Sequence, residues 1–277
     1  MALSYDLHSH TSASDGSLSP TALVHYAIEN GVDVLAVTDH DITSGVQEAV
    51  LAAESGPISV IAGVEISVVW RHQTLHILGL NIDPNHPGLL AGLKMIRQAR
   101  VARARQIGES LAKTGIDGAY EAAKAISNGE NVTRTHFAKI LIEQGHAKDM
   151  KQVFKRYMVK GKPGYVAGEW AQLEEALSWI KEAGGVSVIA HPARYKMSAT
   201  KMRMMIEEFM EAGGRGIEVV SGSHNKTESA NIAQLAKRYN LLASRGSDFH
   251  DPNIPYINMK TLPPLPIDLT PVWSAWS

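Results

Sequence analysis

His8, His10, Asp15, His40, Glu65, His76, His191, Asp248 and His250, nine side chains able to bind a metal, stand at or near the ends of short apolar runs. His8-Ser9-His10 and then Asp15 follow Tyr5-Asp6-Leu7. Asp39-His40-Asp41 follows the run from Asp33 to Thr38, and Glu65 follows Ile58 to Val64. His76 lies in the run Thr74 to Leu80, His191 follows Val186 to Ala190, and Asp248-Phe249-His250 follows Leu241 to Arg245. Six of the 12 histidines are in this set. In an extended chain alternate residues face the same way, so His8 and His10 can reach one ion. Imidazole with carboxylate suits zinc, manganese or iron, whereas calcium and magnesium prefer oxygen alone. Nine ligands exceed one ion's needs; with one bridging carboxylate they suit two or three. Clustered ions of this kind activate water and clamp the attacking and leaving oxygens of phosphoryl transfer. A lone histidine after a strand is ordinarily a hydrogen-bonded loop residue, and Asp248 alone would serve a turn. Six histidines at strand ends make a metal site the stronger reading. His25, His72, His86 and His146 fall on helices or loop tips and read as surface residues.

Convergence of these residues requires a particular scaffold. Short apolar runs alternate with helical stretches: Ser19-Pro20 opens a helix closed by Gly31, and others span Gly45 to Glu54, Leu173 to Ala183, Lys201 to Ala212 and Thr227 to Tyr239. Ser67 to Trp70 and Thr74 to Leu80 read as a hairpin turning near Arg71-His72-Gln73. Repeated strand–helix units predict an α/β sheet, open or closed into a barrel. In a barrel the downstream strand ends meet at one mouth, where active sites sit. The stretch 87–165 interrupts the rhythm, being helical over Leu89 to Lys113, Gly118 to Ser127, Thr135 to Glu143 and Met150 to Val159. Residues 1–86 and 166–277 are therefore expected to form the barrel with the metal site, and 87–165 a helical insertion serving as a substrate lid. Leu262-Pro263-Pro264-Leu265-Pro266 reads as an extended surface tail.

Composition sets the outer limits. The 277 residues are 44% hydrophobic and 20% charged, with 27 Lys and Arg against 28 Asp and Glu, a net charge of −1. That balance argues against a generally nucleic-acid- or membrane-adhesive surface. With no cysteine, thiolate metal sites and disulfides are excluded. No apolar run reaches membrane-spanning length, and the opening residues do not read as a secretory signal, so a soluble cytoplasmic protein is expected.

The motifs His8-x-His10, Asp15-Gly16, Thr38-Asp39-His40, Gly63-x-Glu65, His76, Ala190-His191-Pro192 and Gly246-Ser247-Asp248-x-His250 resemble those of the polymerase-and-histidinol-phosphatase (PHP) domain, in order along the chain. The resemblance implies a distorted (β/α)7 barrel with a two- or three-metal phosphoesterase site, often manganese. It implies that His8, His10, Glu65 and Asp248 hold one ion, that Glu65 bridges to a second held by His76 and His191, and that Asp15, His40 and His250 hold a third. A metal-bound hydroxide held by Glu65, Asp248 and His191 would be the nucleophile.

Within the family, Arg103-Ala-Arg105-Gln-Ile-Gly, Val132-Thr-Arg134-Thr-His136-Phe-Ala and Tyr157 to Tyr165 resemble the branch containing nucleoside 3′,5′-bisphosphate phosphatases. Thr135 departs from the proline common there, but Arg134 and His136 keep their spacing. The resemblance implies a phosphoric monoester hydrolase that converts 3′-phosphoadenosine 5′-phosphate to AMP and phosphate. The same branch includes 5′-to-3′ exonucleases on short RNA, which is the alternative; histidinol phosphatase is the weaker rival, since its substrate has no second phosphate for these arginines. A full ligand set weighs against a non-catalytic module. Arg103, Arg105, Arg134 and His136 are the expected substrate contacts, Arg being suited to bidentate phosphate binding and the helix start at Arg134 offering free N–H groups. Arg194, after His191 at a strand end, is the candidate for the phosphate being cleaved, against a structural ion pair. His224 is read as loop-stabilising, and Tyr165 and Trp170 as packing residues. A small nucleotide substrate is implied, with no membrane and no obligate protein partner.

Overall fold

The computed structural model describes residues 3–127, 132–254 and 258–276. They divide into two compact units, one comprising Met1–Leu93 with Ala171–Ser277 and the other Lys94–Trp170.

The first unit is built on a sheet of eight strands. In chain order they are β1 (Tyr5–Asp6), β2 (Val34–Val37), β3 (Ser59–Trp70), β4 (Gln73–Leu80), β5 (Ala171–Gln172), β6 (Val186–Ile189), β7 (Gly216–Ser221) and β8 (Leu242–Gly246). Seven form a path in the order β1-β2-β3-β4-β6-β7-β8, while the short β5 pairs with β3. Leu7 N–H, just past β1, donates to the carbonyl of Arg245 in β8 at 3.0 Å, so the path nearly closes on itself as the distorted seven-stranded barrel requires. The distortion has a definite source. β3 continues for 12 residues through what the sequence divides into two strands, then turns back into β4 at Arg71 and His72, both left-handed at φ 46° and 64°. Two left-handed residues give the tight hairpin turn whose twist matches the strands. β4 therefore runs antiparallel to β3 and β6, whereas β1–β2, β2–β3, β6–β7 and β7–β8 are parallel.

Strand β2 shows why the unit holds together. Val34 and Ala36 pack with Leu7, Leu78, Leu80, Val186 and Val188, while Leu35 and Val37 pack against helices α1 (Pro20–Glu29) and α2 (Val46–Ala53). Burial on both faces accounts for the continuous apolar sequence of the parallel strands. Ser19 caps α1, its side chain accepting from Ala22 N–H, with Pro20 at the first helical position. Tyr5 stacks on Trp273 at 3.8 Å between centroids. Three further helices, α7 (Leu173–Glu182), α8 (Ala199–Glu211) and α9 (Lys226–Arg238), alternate with β6, β7 and β8. The proline-rich tail is extended, and the buried Arg245 Nη2 donates to the Leu262 carbonyl at 2.7 Å.

The second unit is helical. The long α3 (Pro87–Ala112) begins in the first unit and continues into it, followed by α4 (Ala119–Ile126), α5 (Arg134–Glu143) and α6 (Met150–Val153). The helix expected over Met150 to Val159 is instead one α-turn continued by a widened turn over Phe154–Met158. This unit has its own core, in which Ile107, Leu111, Phe137, Leu141, Val153 and Met158 are buried. Among the described residues no helix is long and apolar enough to cross a membrane.

Candidate metal centre and anion-binding residues

Backbone pairing sets the histidines and carboxylates side by side at one rim of the first unit. Asp248 N–H donates to the His8 carbonyl and His10 N–H to the Phe249 carbonyl, both at 2.9 Å, which places the chain after β1 beside the chain after β8. Thr38 N–H donates to the Ser9 carbonyl, also at 2.9 Å, and His40 bridges to Glu65. Glu65 is not at a strand end but within β3, level with His40, just beyond the end of β2. His76 lies near the start of β4; because β4 is antiparallel, its start reaches the same rim as the downstream ends of the parallel strands. Ala190 N–H donates to the His76 carbonyl at 3.1 Å and carries His191 into place.

Three overlapping sets of ligand atoms result: His8, His10, Glu65 and Asp248; His10, Asp15, His40 and His250; and His40, Glu65 and His76. His191 joins the last, its Nε2 lying 2.9 Å from Glu65 Oε1, beside His76 Nδ1 at 2.8 Å. The sequence assigns His10 and His40 to one ion each, whereas the geometry places each within two sets.

The first set fits a metal ion. His8 Nε2 and His10 Nε2 are 3.4 Å and 3.3 Å from Glu65 Oε2, and 3.4 Å and 3.3 Å from Asp248 Oδ1. Donors bonded to one ion at about 2.0–2.1 Å in a tetrahedron stand about 3.3–3.4 Å apart, longer than the usual hydrogen bond. Among the described residues, His8 Nε2 and His10 Nε2 are buried polar atoms with no hydrogen-bond partner, and Glu65 Oε2 also faces His40 Nδ1 at 2.9 Å. Burying such groups unsatisfied is costly, and a cation at their meeting point removes the cost.

Electrostatics hold the carboxylates and two of the histidines in ligating form, and hold two other histidines, His8 and His250, toward the protonated form. Burial opposes ionisation of Asp15, Glu65 and Asp248, but the surrounding histidines outweigh it and hold all three well below the usual carboxylate range. Burial pushes His10 down to about 3 and His76 down to about 4, leaving neutral imidazoles. Against burial, the Asp15 carboxylate raises His250 to about 9. His191 and Asp248 have left-handed backbones, φ 30° and 57°, a strained conformation that the surrounding contacts must hold.

Several further residues support these donors, of which Glu218 and Tyr195 lie outside the motifs. Glu218, fully buried in β7, lies 3.0 Å from His8 Nδ1 through Oε1 and accepts the His191 N–H at 2.6 Å through Oε2. Its one sequence signal is a carboxylate in the otherwise apolar run Gly216 to Val220. Asp39 accepts from Thr11 N–H, Thr11 Oγ1 and Ser14 Oγ, ordering the loop that carries Asp15. Tyr195 hydroxyl accepts the His76 N–H at 2.8 Å. Gly246 is required because a Cβ there would lie 2.2 Å from His8 Cβ and 2.9 Å from Glu218 Oε1.

Arg194 forms an ion pair with Asp248, Nη1 to Oδ2 at 2.6 Å, and remains half-exposed. His224 spans its loop, with Nδ1 3.4 Å from the Val219 carbonyl and Nε2 accepting the Ala193 N–H at 3.3 Å, a loop-stabilising role. His25 and His72 are exposed, whereas His86 and His146 are partly buried.

In the second unit Arg103 is drawn inward. Its Nε donates to the Val166 carbonyl at 2.8 Å and its guanidinium lies 5.3 Å from the centre of the Trp170 ring. The buried Arg100 lies over the same ring at 4.8 Å. Burial, then the positive charges of Arg134 and Arg100, lower Arg103 to about 9. Arg105, two residues on and so about 200° around the helix, is exposed and lies against Tyr120 instead. The helix geometry thus separates two arginines that the sequence reading places together. Thr133 caps α5: its Oγ1 accepts the Thr135 N–H at 3.2 Å, and its N–H donates to Nδ1 of the buried His136 at 3.0 Å. A proline at 135 could not donate the first of these bonds. The Arg134 guanidinium lies 5.6 Å from the centre of the Phe154 ring.

Comparison with known proteins finds relatives over nearly the whole chain. The chain is 47% identical over 269 residues to a 3′,5′-nucleoside bisphosphate phosphatase from Chromobacterium violaceum, covering 97% of this chain and 94% of that protein. It is 43% identical to the 5′-3′ exoribonuclease Rnm of Escherichia coli, covering 99% and 94%. A structure described as an amidohydrolase from Chromobacterium violaceum, with bound sulfate and no metal, superposes with a TM-score of 0.94 at 47% identity, covering 98% of this chain and 94% of that one. The PHP domain signature matches residues 6–190, and the chain belongs to the PHP domain family.

Proposed function

We propose that this protein is a metal-dependent phosphatase that removes the 3′-phosphate of nucleoside 3′,5′-bisphosphates, converting 3′-phosphoadenosine 5′-phosphate to AMP and phosphate. The observation that carries the reading is the convergence of imidazole and carboxylate donors at tetrahedral-edge spacing in one buried cluster. Its likeness over nearly the whole chain to a 3′,5′-nucleoside bisphosphate phosphatase supports the substrate class.

His8, His10, Glu65 and Asp248 would hold one ion, Glu65 with His76 and His191 a second, and Asp15, His40 and His250 a third, making a trinuclear centre. Manganese is assigned, and zinc or iron would fit the same donors; bound there, such ions activate water and stabilise charge developing on phosphoryl oxygens. The protein's own part is to present these donors without reorganisation. Asp248 divides its carboxylate, Oδ1 facing His8 and His10 and Oδ2 binding Arg194. That pairing fixes the ligand's orientation and leaves the half-exposed Arg194 guanidinium donors to spare for the phosphate being cleaved. Arg103, Arg134 and His136 are assigned to the 5′-phosphate. A dianion beside Arg103 would offset the burial, and the repulsion from Arg134 and Arg100, that now lower it. Arg105, turned to the opposite side of α3, is assigned no part in that contact. The insertion would thereby serve as the substrate lid.

The likeness to exoribonucleases supports a second reading, stepwise cleavage of short 5′-phosphorylated RNA. The same donors would serve, since a phosphodiester changes only the leaving group.

Product identity tests which phosphate is removed. Phosphorus NMR of the reaction with 3′-phosphoadenosine 5′-phosphate should show AMP. Accumulation of adenosine 3′-phosphate would reverse the proposed orientation and refute the reading.

A further inference from the structure

We infer that Glu218 is a positioning residue of the metal centre: it fixes the ring of His8 with Nδ1 protonated and Nε2 bare, and the same carboxylate holds the backbone of His191. The inference rests on the metal reading above.

An imidazole ligates through one nitrogen, and the partner of the other nitrogen decides which one is available. Glu218 Oε1 lies 3.0 Å from His8 Nδ1 on a carboxylate that already accepts a backbone N–H, and as an acceptor there it selects a proton on Nδ1. That leaves the Nε2 lone pair directed at Glu65 Oε2 and Asp248 Oδ1, each 3.4 Å away. The second oxygen is also engaged. Oε2 accepts the His191 N–H at 2.6 Å, and His191 has the left-handed φ of 30°. One fully buried carboxylate therefore ties together two expected ligands that come from strands not adjacent on the path, the segment after β1 and the segment after β6. Room for it depends on Gly246, where a Cβ would approach Oε1 to 2.9 Å.

Glu218→Gln is nearly isosteric, yet an amide cannot accept with both ends. If its oxygen keeps the His191 N–H, its NH2 faces His8 Nδ1 and selects the opposite tautomer, with Nε2 protonated. If its oxygen faces His8, the NH2 opposes the His191 N–H.

Manganese binding is measured by calorimetry on the whole protein, with the melting temperature of the metal-free form measured in parallel. Wild type should bind two or three equivalents. Glu218→Gln should weaken one of them by about 10- to 100-fold while the metal-free melting temperature stays within a few degrees. Unchanged manganese affinity in Glu218→Gln would overturn the inference. Wild type that binds no manganese would instead overturn the metal reading beneath it. Nitrogen-15 NMR of the zinc-loaded wild type decides the tautomer directly, whether or not the variant folds. The His8 signal, assigned by its loss in His8→Asn, should carry its proton on Nδ1. A proton on Nε2, or none on either nitrogen, would overturn the assignment.

Discussion

Manganese binding should be steeply pH-dependent because of His250. Its Nε2 lies 3.3 Å from Asp15 Oδ1, and its Nδ1 donates to the Asp248 carbonyl at 2.8 Å. Burial disfavours the charged ring, but the Asp15 carboxylate outweighs burial and raises the pKa to about 9. The sign follows from that direction. A raised pKa means that the metal-free ring is protonated at neutral pH, and Nε2 must lose its proton before it can ligate. At pH 7 about one ring in a hundred is then ready to bind, so an ion at Asp15, His40 and His250 should bind about 100-fold more weakly than above pH 9. Between pH 7 and 8.5 the affinity should rise about 25-fold by the same relation. Anaerobic titration calorimetry in buffers of different protonation enthalpy measures both quantities. Proton release on binding this equivalent, together with the rise in affinity, is expected. A flat affinity with no proton released would refute the placement of Asp15 against a charged His250.

Replacing His191 or Asp248 by Ala should abolish phosphate release and lower bound manganese, read by elemental analysis of the same samples. Arg134→Ala should reduce kcat/KM for the 3′,5′-bisphosphate by about 10- to 100-fold, the loss of a charge-assisted contact of about 1.5–3 kcal/mol, while 3′-AMP turnover stays unchanged. Equal losses on both substrates would remove Arg134 from 5′-phosphate recognition. Gly246→Ala must force its Cβ away from His8, 2.2 Å distant, and should cost about 1–3 kcal/mol, seen as a lower melting temperature and reduced metal content.

The sequence reveals the candidate ligands because metal chemistry restricts residue type and strand ends restrict position. His8-x-His10, Asp248-x-His250 and the apolar runs before them are local patterns, and local patterns survive in one dimension. What it hides is non-local. β3 runs unbroken through Glu65 because its pairing with β4 continues past the point where apolar alternation changes, so a strand-end residue became a mid-strand one. Glu218 acts on His8 across 210 positions of chain, and no spacing rule connects them. Arg103 and Arg105 share a motif but not a helix face, a consequence of 3.6-residue periodicity that motif matching ignores. His136 reads as a phosphate contact, yet its Nδ1 is also part of the cap that starts α5.

The most direct test of the central claim is phosphate release by the manganese-loaded protein from 3′-phosphoadenosine 5′-phosphate, 3′-AMP, 5′-AMP and a 5′-phosphorylated RNA trimer, compared by kcat/KM. A strong preference for the bisphosphate, with AMP as product, is predicted. Mononucleotide release from the trimer with little bisphosphate turnover would contradict the phosphatase reading and install the exonuclease in its place.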